Sequence, residues 1–385
     1  MEIADRIKHL PPYLFAEIDR KIAEKKAQGI DVISLGIGDP VEPTPPHIVE
    51  AMCRAVKDPA NHGYPSYFGL PAFREAIARW YDKRFGVRLD PETEILPLIG
   101  SKEGLAHIFT ALVDPGDVAL VPDPGYPVYE IGSMLSGGQA VHMPLLAHSG
   151  FNPDFDLIEQ GAAEEATIML LNYPNNPTAA IAGEALYRRA LTFGSEHKIA
   201  VCHDFAYSEI TFDGYQPVSI LAEPGAMKTA AEFHSLSKTY NMTGWRIGWL
   251  AGCPEIIEAL GRVKTNIDSG IFNAIQLAGV AALDGPQECV EEMRQIYQRR
   301  RDKTVDVLQA VGVKVERPKA TVFVWAPVPE GHTSSSFATL VLEKAGVVVS
   351  PGNAYGPSGE GYVRLSLTVK DDRLEEALDR IQRHL

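Results

Sequence analysis

The sequence predicts an α/β protein in which a large domain alternates buried strands with helices and a smaller α+β domain follows toward the C-terminus. Three observations carry that expectation. The chain has 385 residues, more than the roughly 250–300 at which a single core stops growing. Its middle alternates short apolar runs with amphipathic stretches long enough to be crossover helices. Its last part changes rhythm, with one long charged helical stretch followed by closely spaced apolar runs.

In chain order, segment 1–45 opens with Glu2, Asp5, Arg6 and Lys8, lacks the apolar core of a signal segment, and is expected to pack on the smaller domain. The large, ligand-binding domain is expected over 46–287. There the apolar stretch 95–99 runs through Gly100-Ser101-Lys102 into an amphipathic helix over 102–112. Runs 118–121, 167–171 and 199–202 read as buried strands, and helices are expected over 182–194 and 254–264. Pro115-Gly116, Pro124-Gly125 and the prolines at 174 and 177 punctuate strand exits. The smaller domain is expected over 288–385: a helix over 288–310, apolar runs 321–325, 347–349 and 362–367, and a closing helix from Asp372.

Composition narrows the function. A formal net charge of −14 with no segregated basic surface argues against nucleic acid as a partner. Charges, prolines and glycines interrupt every long apolar stretch before the roughly 18 residues a membrane span needs. Cys53, Cys202, Cys253 and Cys289 are widely spaced and form no CxxC pair, the usage expected of a cytoplasmic protein with reduced thiols. His9, His62, His107 and His203 form no HExxH motif, so no metal site is expected. The glycines near Gly36 and Gly38 do not complete a GxGxxG fingerprint. Small-molecule partners remain.

The chemistry centres on Lys238, in Ser235-Leu236-Ser237-Lys238-Thr239-Tyr240-Asn241-Met242-Thr243-Gly244-Trp245-Arg246. Its amine can condense with an aldehyde while the surrounding hydroxyls and Arg246 hold a phosphate, which points to pyridoxal 5′-phosphate. Asp204 follows the run ending Val201-Cys202-His203, at a strand's C-terminal end where open α/β sheets bind ligands, and is expected to pair with a protonated pyridine nitrogen. Side-chain alternation turns His203 to the other face, as a structural histidine. Tyr207 and Asn176 are candidate donors to the cofactor's phenolic oxygen. Ser101 offers a hydroxyl at a helix start, Ser235 a second, and Arg246 a guanidinium for the phosphate; Lys102 either joins them or faces solvent. Tyr126, in Pro124-Gly125-Tyr126-Pro127, stacks on the ring or packs in the core. Arg364, interrupting the alternating run 362–367, grips an α-carboxylate or makes a surface ion pair. Catalysis is thus assigned to Lys238, Asp204 and Tyr207.

At these residues the chain resembles the class I and II aminotransferases of fold type I, and within them most closely the branch acting on LL-2,6-diaminoheptanedioate. The resemblance spans nearly the whole chain. It rests on Asn175-Asn176-Pro177-Thr178, Asp204 with Tyr207, and Ser235/Lys238/Arg246. More specific are His62-Gly63-Tyr64-Pro65-Ser66, Gly100-Ser101-Lys102-Glu103-Gly104, Lys264-Thr265-Asn266-Ile267-Asp268-Ser269-Gly270 and Gly359-Glu360-Gly361-Tyr362-Val363-Arg364. It implies a doubly wound, mainly parallel seven-stranded sheet covered by helices, and a small domain made from both chain ends. It also implies a homodimer with active sites at the subunit interface, where Tyr64 reaches the neighbouring cofactor phosphate. Gly38 matches the loop over the substrate carboxylate, and Tyr13, Tyr64, Lys102 and Asn176 join Arg364 as substrate-binding candidates. Glu103, Lys264 and Asn266 are further candidates for the distal end, although Glu103 also suits a helix start. The reaction implied is amino transfer between L-glutamate and 2-oxoglutarate on one side and LL-2,6-diaminoheptanedioate and tetrahydrodipicolinate on the other. Relatives acting on alanine, aspartate or aromatic amino acids share nearly all these groups. Ala179 stands where many relatives carry glycine.

Overall fold

The computed structural model describes residues 2–10 and 16–384. The short strand β1 (Ile33–Ser34) precedes a seven-stranded sheet made of β2 (Ile95–Leu98), β3 (Val118–Asp123), β4 (Gln139–Pro144), β5 (Ala166–Asn172), β6 (Ala200–Asp204), β7 (Ala230–Ser235) and β8 (Gly248–Gly252). The spatial order is β2-β8-β7-β6-β5-β3-β4. Every neighbouring pair is parallel except the two that β8 makes, so β8 alone runs against the rest. This is the mainly parallel, helix-covered sheet expected. Its central strands are buried on both faces, as parallel strands under crossover helices must be.

Two apolar layers sandwich the sheet. Helices Pro71–Phe85 and Glu184–His197 close one face with Phe73, Ile77, Tyr187 and Ala190. Helices Ser101–Leu112, Val128–Ser136 and Pro254–Ile267 close the other with Leu105, Ile108, Tyr129 and Leu260. Proline opens Pro71–Phe85 and Pro254–Ile267, where its missing N–H costs no helical bond.

The C-terminal part carries β9 (Phe323–Pro327), β10 (Val347–Val348), β11 (Ser350–Pro351) and β12 (Tyr362–Ser366). The last, first and third of these form an antiparallel sheet in the order β11-β12-β9, while β10 pairs in parallel with β1. A separate core of Leu35, Tyr297, Val305, Phe337, Leu365 and Leu378 fills this region. The helix Glu288–Ala310 belongs to both cores: Val290 packs with the large sheet, and Met293 through Leu308 with the second core. Arg300 pins the N-terminal segment through Glu42 Oε1 (2.5 Å) and the C-terminal helix through Asp371 Oδ1 (2.5 Å).

Candidate active site

The site follows from the direction of the strands. Parallel strands end on one edge, and the residues just beyond β2, β3, β5, β6 and β7 converge there. The reversed strand completes the set: β8 starts at that edge, so the turn leading into it delivers Arg246 to the place where the others deliver Ser101, Tyr126, Asn176, Asp204 and Lys238. Gly38, from beyond β1, and Arg364, from β12, close the opposite wall of a cavity of about 410 Å³. That volume lies within the range of small-molecule sites, roughly 300–1,000 Å³.

Lys238 sits in the short helix Leu236–Thr239. Its Nζ donates to the Gly38 carbonyl at 2.7 Å. Burial lowers the amine to about 8, against the pull of Asp39 and with help from the Arg364 and Arg246 charges. About a tenth of the amine is therefore neutral and nucleophilic near pH 7, far more than for an ordinary lysine. Asp204 is buried at the end of β6, its Oδ2 accepting from Tyr129 Oη at 2.8 Å and its Oδ1 from the Ala206 N–H at 3.2 Å. Burial outweighs these two donors and raises its carboxyl above the usual range. Tyr207 is buried with its phenol pushed well up by the same cause, its ring edge-on to Phe323 at 5.5 Å. His203 points to the other face, its Nδ1 3.0 Å from Glu232 Oε2, and does not line the cavity.

The opposite end is shaped for an anion. Ser101 opens the helix Ser101–Leu112, whose unpaired N–H groups and dipole favour negative charge. Gly100 before it has φ +77°, and a Cβ there would stand 2.2 Å from Arg246 Nη2. Glycine is what lets the guanidinium lie against the helix start. Arg246 holds a left-handed backbone at φ +53° and anchors Nη1 on the Thr243 carbonyl at 2.8 Å. Ser235 accepts the Ser237 N–H at 3.2 Å and lines the same corner. Lys102 is exposed, yet its Nζ lies 5.7 Å over the half-buried Tyr126 ring, and both line the cavity.

Arg364 is no surface ion pair. It is buried in β12 because Phe323 of β9 and Tyr355 flank its guanidinium, with ring centroids 4.1 and 4.8 Å from Cζ. Nη1 donates to Asn176 Oδ1 at 2.7 Å and Nη2 to the Gly36 carbonyl at 2.6 Å, both neutral acceptors, and Nε is buried without a partner. Asn176 is held in turn by its N–H on Asn172 Oδ1 at 2.8 Å.

Tyr64 stands apart from this cavity: it is 92% exposed. Tyr13 lies outside the described residues. Glu103 turns to its own surroundings, with Oε2 accepting the Ile99 N–H at 3.2 Å and Oε1 2.9 Å from His107 Nδ1, and Lys264 pairs with Asp268 at 2.7 Å. Asn266 Nδ2 bonds the Arg262 carbonyl of its own helix. None of these three lines the cavity. Sequence reasoning missed Tyr129, Asn172 and Phe323. Tyr129 follows Tyr126 at a three-residue spacing near a helix start, a signal that could have found it; Phe323 reaches the site only through tertiary packing.

The residues fit pyridoxal phosphate. Among the described residues no cation pairs with the buried Asp204, the glycine-cleared corner at Arg246 and Ser101 suits a phosphate, and a lysine with a lowered amine lies in the same cavity. Sheet, cavity and donor set together define a pyridoxal-phosphate-dependent enzyme of fold type I. The family model for aminotransferase class I and II matches residues 30–381, and the chain belongs to that family. It is 56% identical over 381 residues to the LL-diaminopimelate aminotransferase of Dehalococcoides mccartyi, covering 99% of this chain and 98% of that one. It is 57% identical over 379 residues to the enzyme of the same name from Desulforudis audaxviator, covering 98% and 97%. Among solved structures, substrate-bound BacF from Bacillus subtilis superposes with a TM-score of 0.94 at 42% identity, covering 100% of this chain and 98% of that one.

Proposed function

We propose that the chain moves an amino group between L-glutamate/2-oxoglutarate and LL-2,6-diaminoheptanedioate/tetrahydrodipicolinate, in two half-reactions with ping-pong kinetics. One observation carries this reading: identities of 50% to 57% over nearly the full length to enzymes named for that substrate. When bound, pyridoxal phosphate supplies an aldehyde for the substrate amine and a conjugated ring that takes up the electron pair left at the α carbon.

The chain's own residues do the rest. Lys238 Nζ would hold the cofactor through its aldehyde and, as a free amine, would serve as the base that takes the substrate's α proton and gives it back. Asp204 would hold a proton on the ring nitrogen through a buried ion pair, keeping the ring electron-poor. Tyr207 and Asn176 would donate to the phenolic oxygen, and Tyr126 would stack on the ring and limit water. Ser101, Ser235, Arg246 and the Ser101 helix start hold the phosphate, with Lys102 at its rim. Arg364 grips the α-carboxylate with two parallel N–H donors, under the Gly38 loop, and so orients the α C–H bond. Tyr13 serves the substrate's distal end, and Lys102 is a further substrate-binding residue. The protein acts as a cytoplasmic homodimer in which Tyr64 of one subunit reaches its neighbour's cofactor phosphate; an aromatic side chain left 92% exposed in the single chain supports this.

A panel of amino donors tests the assignment. LL-2,6-diaminoheptanedioate should exceed its meso isomer, aspartate, alanine and phenylalanine in kcat/KM with 2-oxoglutarate as acceptor. Faster turnover of aspartate, alanine or phenylalanine overturns the substrate and leaves the family intact. Lys238→Ala should abolish both turnover and the visible absorption of the bound cofactor; normal turnover would refute the lysine assignment.

A further inference from the structure

Asp123 ties the end of β3 to the segment that carries Tyr355. Asp123, buried at the end of β3, receives the small-domain segment that follows β11: Ser358 Oγ donates to its Oδ2 at 2.7 Å, and the Ser358 N–H stands 3.1 Å from Oδ1 and 3.2 Å from Oδ2. Two residues on, the Gly125 N–H donates to the Tyr355 carbonyl at 2.8 Å. Gly356 lies between these contacts with φ +131°, and a Cβ there would stand 2.0 Å from Asp123 Oδ1. Only glycine allows so close an approach. The carboxylate thus works as a cap for the turn Pro357–Gly359, supplied by a distant strand. The neighbouring cation-capable group, His142, is 3.8 Å from Asp123 Oδ2, too far for a hydrogen bond.

The consequence reaches the substrate through Tyr355. Its ring centroid lies 4.8 Å from the Arg364 Cζ, with that of Phe323 at 4.1 Å, and a guanidinium packed against two rings loses freedom to swing off its carboxylate. We propose that Asp123 is a positioning residue for the α-carboxylate site, fixing segment 355–358 so that Tyr355 holds Arg364 in place. This rests on the reading of Arg364 as the α-carboxylate clamp. Because the clamp serves every amino and 2-oxo acid, both half-reactions depend on Asp123 alike, whatever the side chain of the substrate.

The test compares Asp123→Asn and Ser358→Ala with Arg364→Lys in the loaded enzyme. In Asp123→Asn, KM for glutamate and for 2-oxoglutarate should rise by the same factor, roughly tenfold, as a hydrogen bond to a charged group is lost. The kcat should stay within about twofold and the visible cofactor band unchanged, a split that general destabilisation does not produce. Ser358→Ala, the gentler change, should move both KM values in the same direction by less. The dissociation constant of an unreactive 2-methyl amino acid, read from the shift of that band, should follow KM. If Arg364→Lys raises KM while both Asp123→Asn and Ser358→Ala leave KM and the 2-methyl ligand's affinity untouched, the positioning role is overturned and the clamp stands. A loss confined to kcat or to the cofactor band overturns it as well. If Arg364→Lys itself leaves KM unchanged, the clamp reading falls and the role of Asp123 falls with it.

Discussion

Asp204 and Glu232 are both buried carboxylates, on the adjacent strands β6 and β7, and they are held in opposite ways. Asp204 has one phenol and one backbone N–H, and burial raises its carboxyl. Glu232 is fully buried, which alone would raise it too. Instead it accepts from His203, His234, Tyr81 Oη, Ser219 Oγ and the Ile220 N–H, and the two histidines above all hold it down at about 2. Equal burial therefore decides nothing by itself. The number of donors separates a saturated structural anion from one that needs a cationic partner, and only the second lines the cavity.

Exchanging each carboxylate for its amide is the strongest way to break this contrast. Asp204→Asn should lower kcat by roughly 10²–10³-fold, the scale of losing one aimed electrostatic contact. Thermal unfolding of the cofactor-free protein should move by less than about 1 kcal/mol, because only one weakly served acceptor is lost. Glu232→Gln should do the reverse, destabilising by about 3 kcal/mol in denaturant titration as buried donors lose their charge partner, with kcat of the folded enzyme nearly unchanged. Equal loss of kcat in both variants would erase the distinction.

The pH dependence sharpens it. Glu232 has a folded value near 2, below its ordinary 4.5, so its stabilisation is complete above about 4.5 and is lost as pH falls toward 2. Wild type minus Glu232→Gln stability should shrink over that window. Asp204 has a raised folded value, so in the cofactor-free protein its ionisation costs stability as pH rises through that value, and the Asp204→Asn difference should run with the opposite slope. Lys238 shares the cavity's aversion to charge: with its amine lowered to about 8, the rate of cofactor capture should climb about tenfold per pH unit below 8 and level off above it. A flat profile through pH 8 would show that the amine is not the limiting nucleophile.

The smallest effect concerns the backbone on the cavity side. Ala179 closes the Asn176 turn at φ +58°, a left-handed conformation that costs an alanine energy and a glycine little. Ala179→Gly should stabilise by about 0.5–1 kcal/mol after the extra freedom of the unfolded chain is counted, with KM and kcat preserved. A loss of activity would mean that the strain helps to hold Asn176.

The same two carboxylates mark where sequence reading succeeds. β3, β5 and β6 are legible as apolar runs because parallel strands buried on both faces have no polar positions to spare. β7 carries Glu232 and His234 inside the core, so its pattern looks polar although every residue is buried. β4, at the sheet's edge, is partly exposed and equally hard to see. Of the run 347–349 only Val347–Val348 form a strand, β10, and Val349 separates it from β11, which pairs with a different strand.

By itself the sequence determined the α/β order, the chemical groups and the stretches that present them, because burial period, turn residues and side-chain chemistry are local properties. The tertiary structure decided the rest. It reversed β8 so that Arg246 meets Gly100, and it buried Arg364 against Phe323 and Tyr355 instead of leaving it on the surface. It also gave Asp204 a single phenol where Glu232 received two histidines. Those outcomes depend on which distant segments share a wall, and the free energy of a charge is set by the company it keeps in the folded chain.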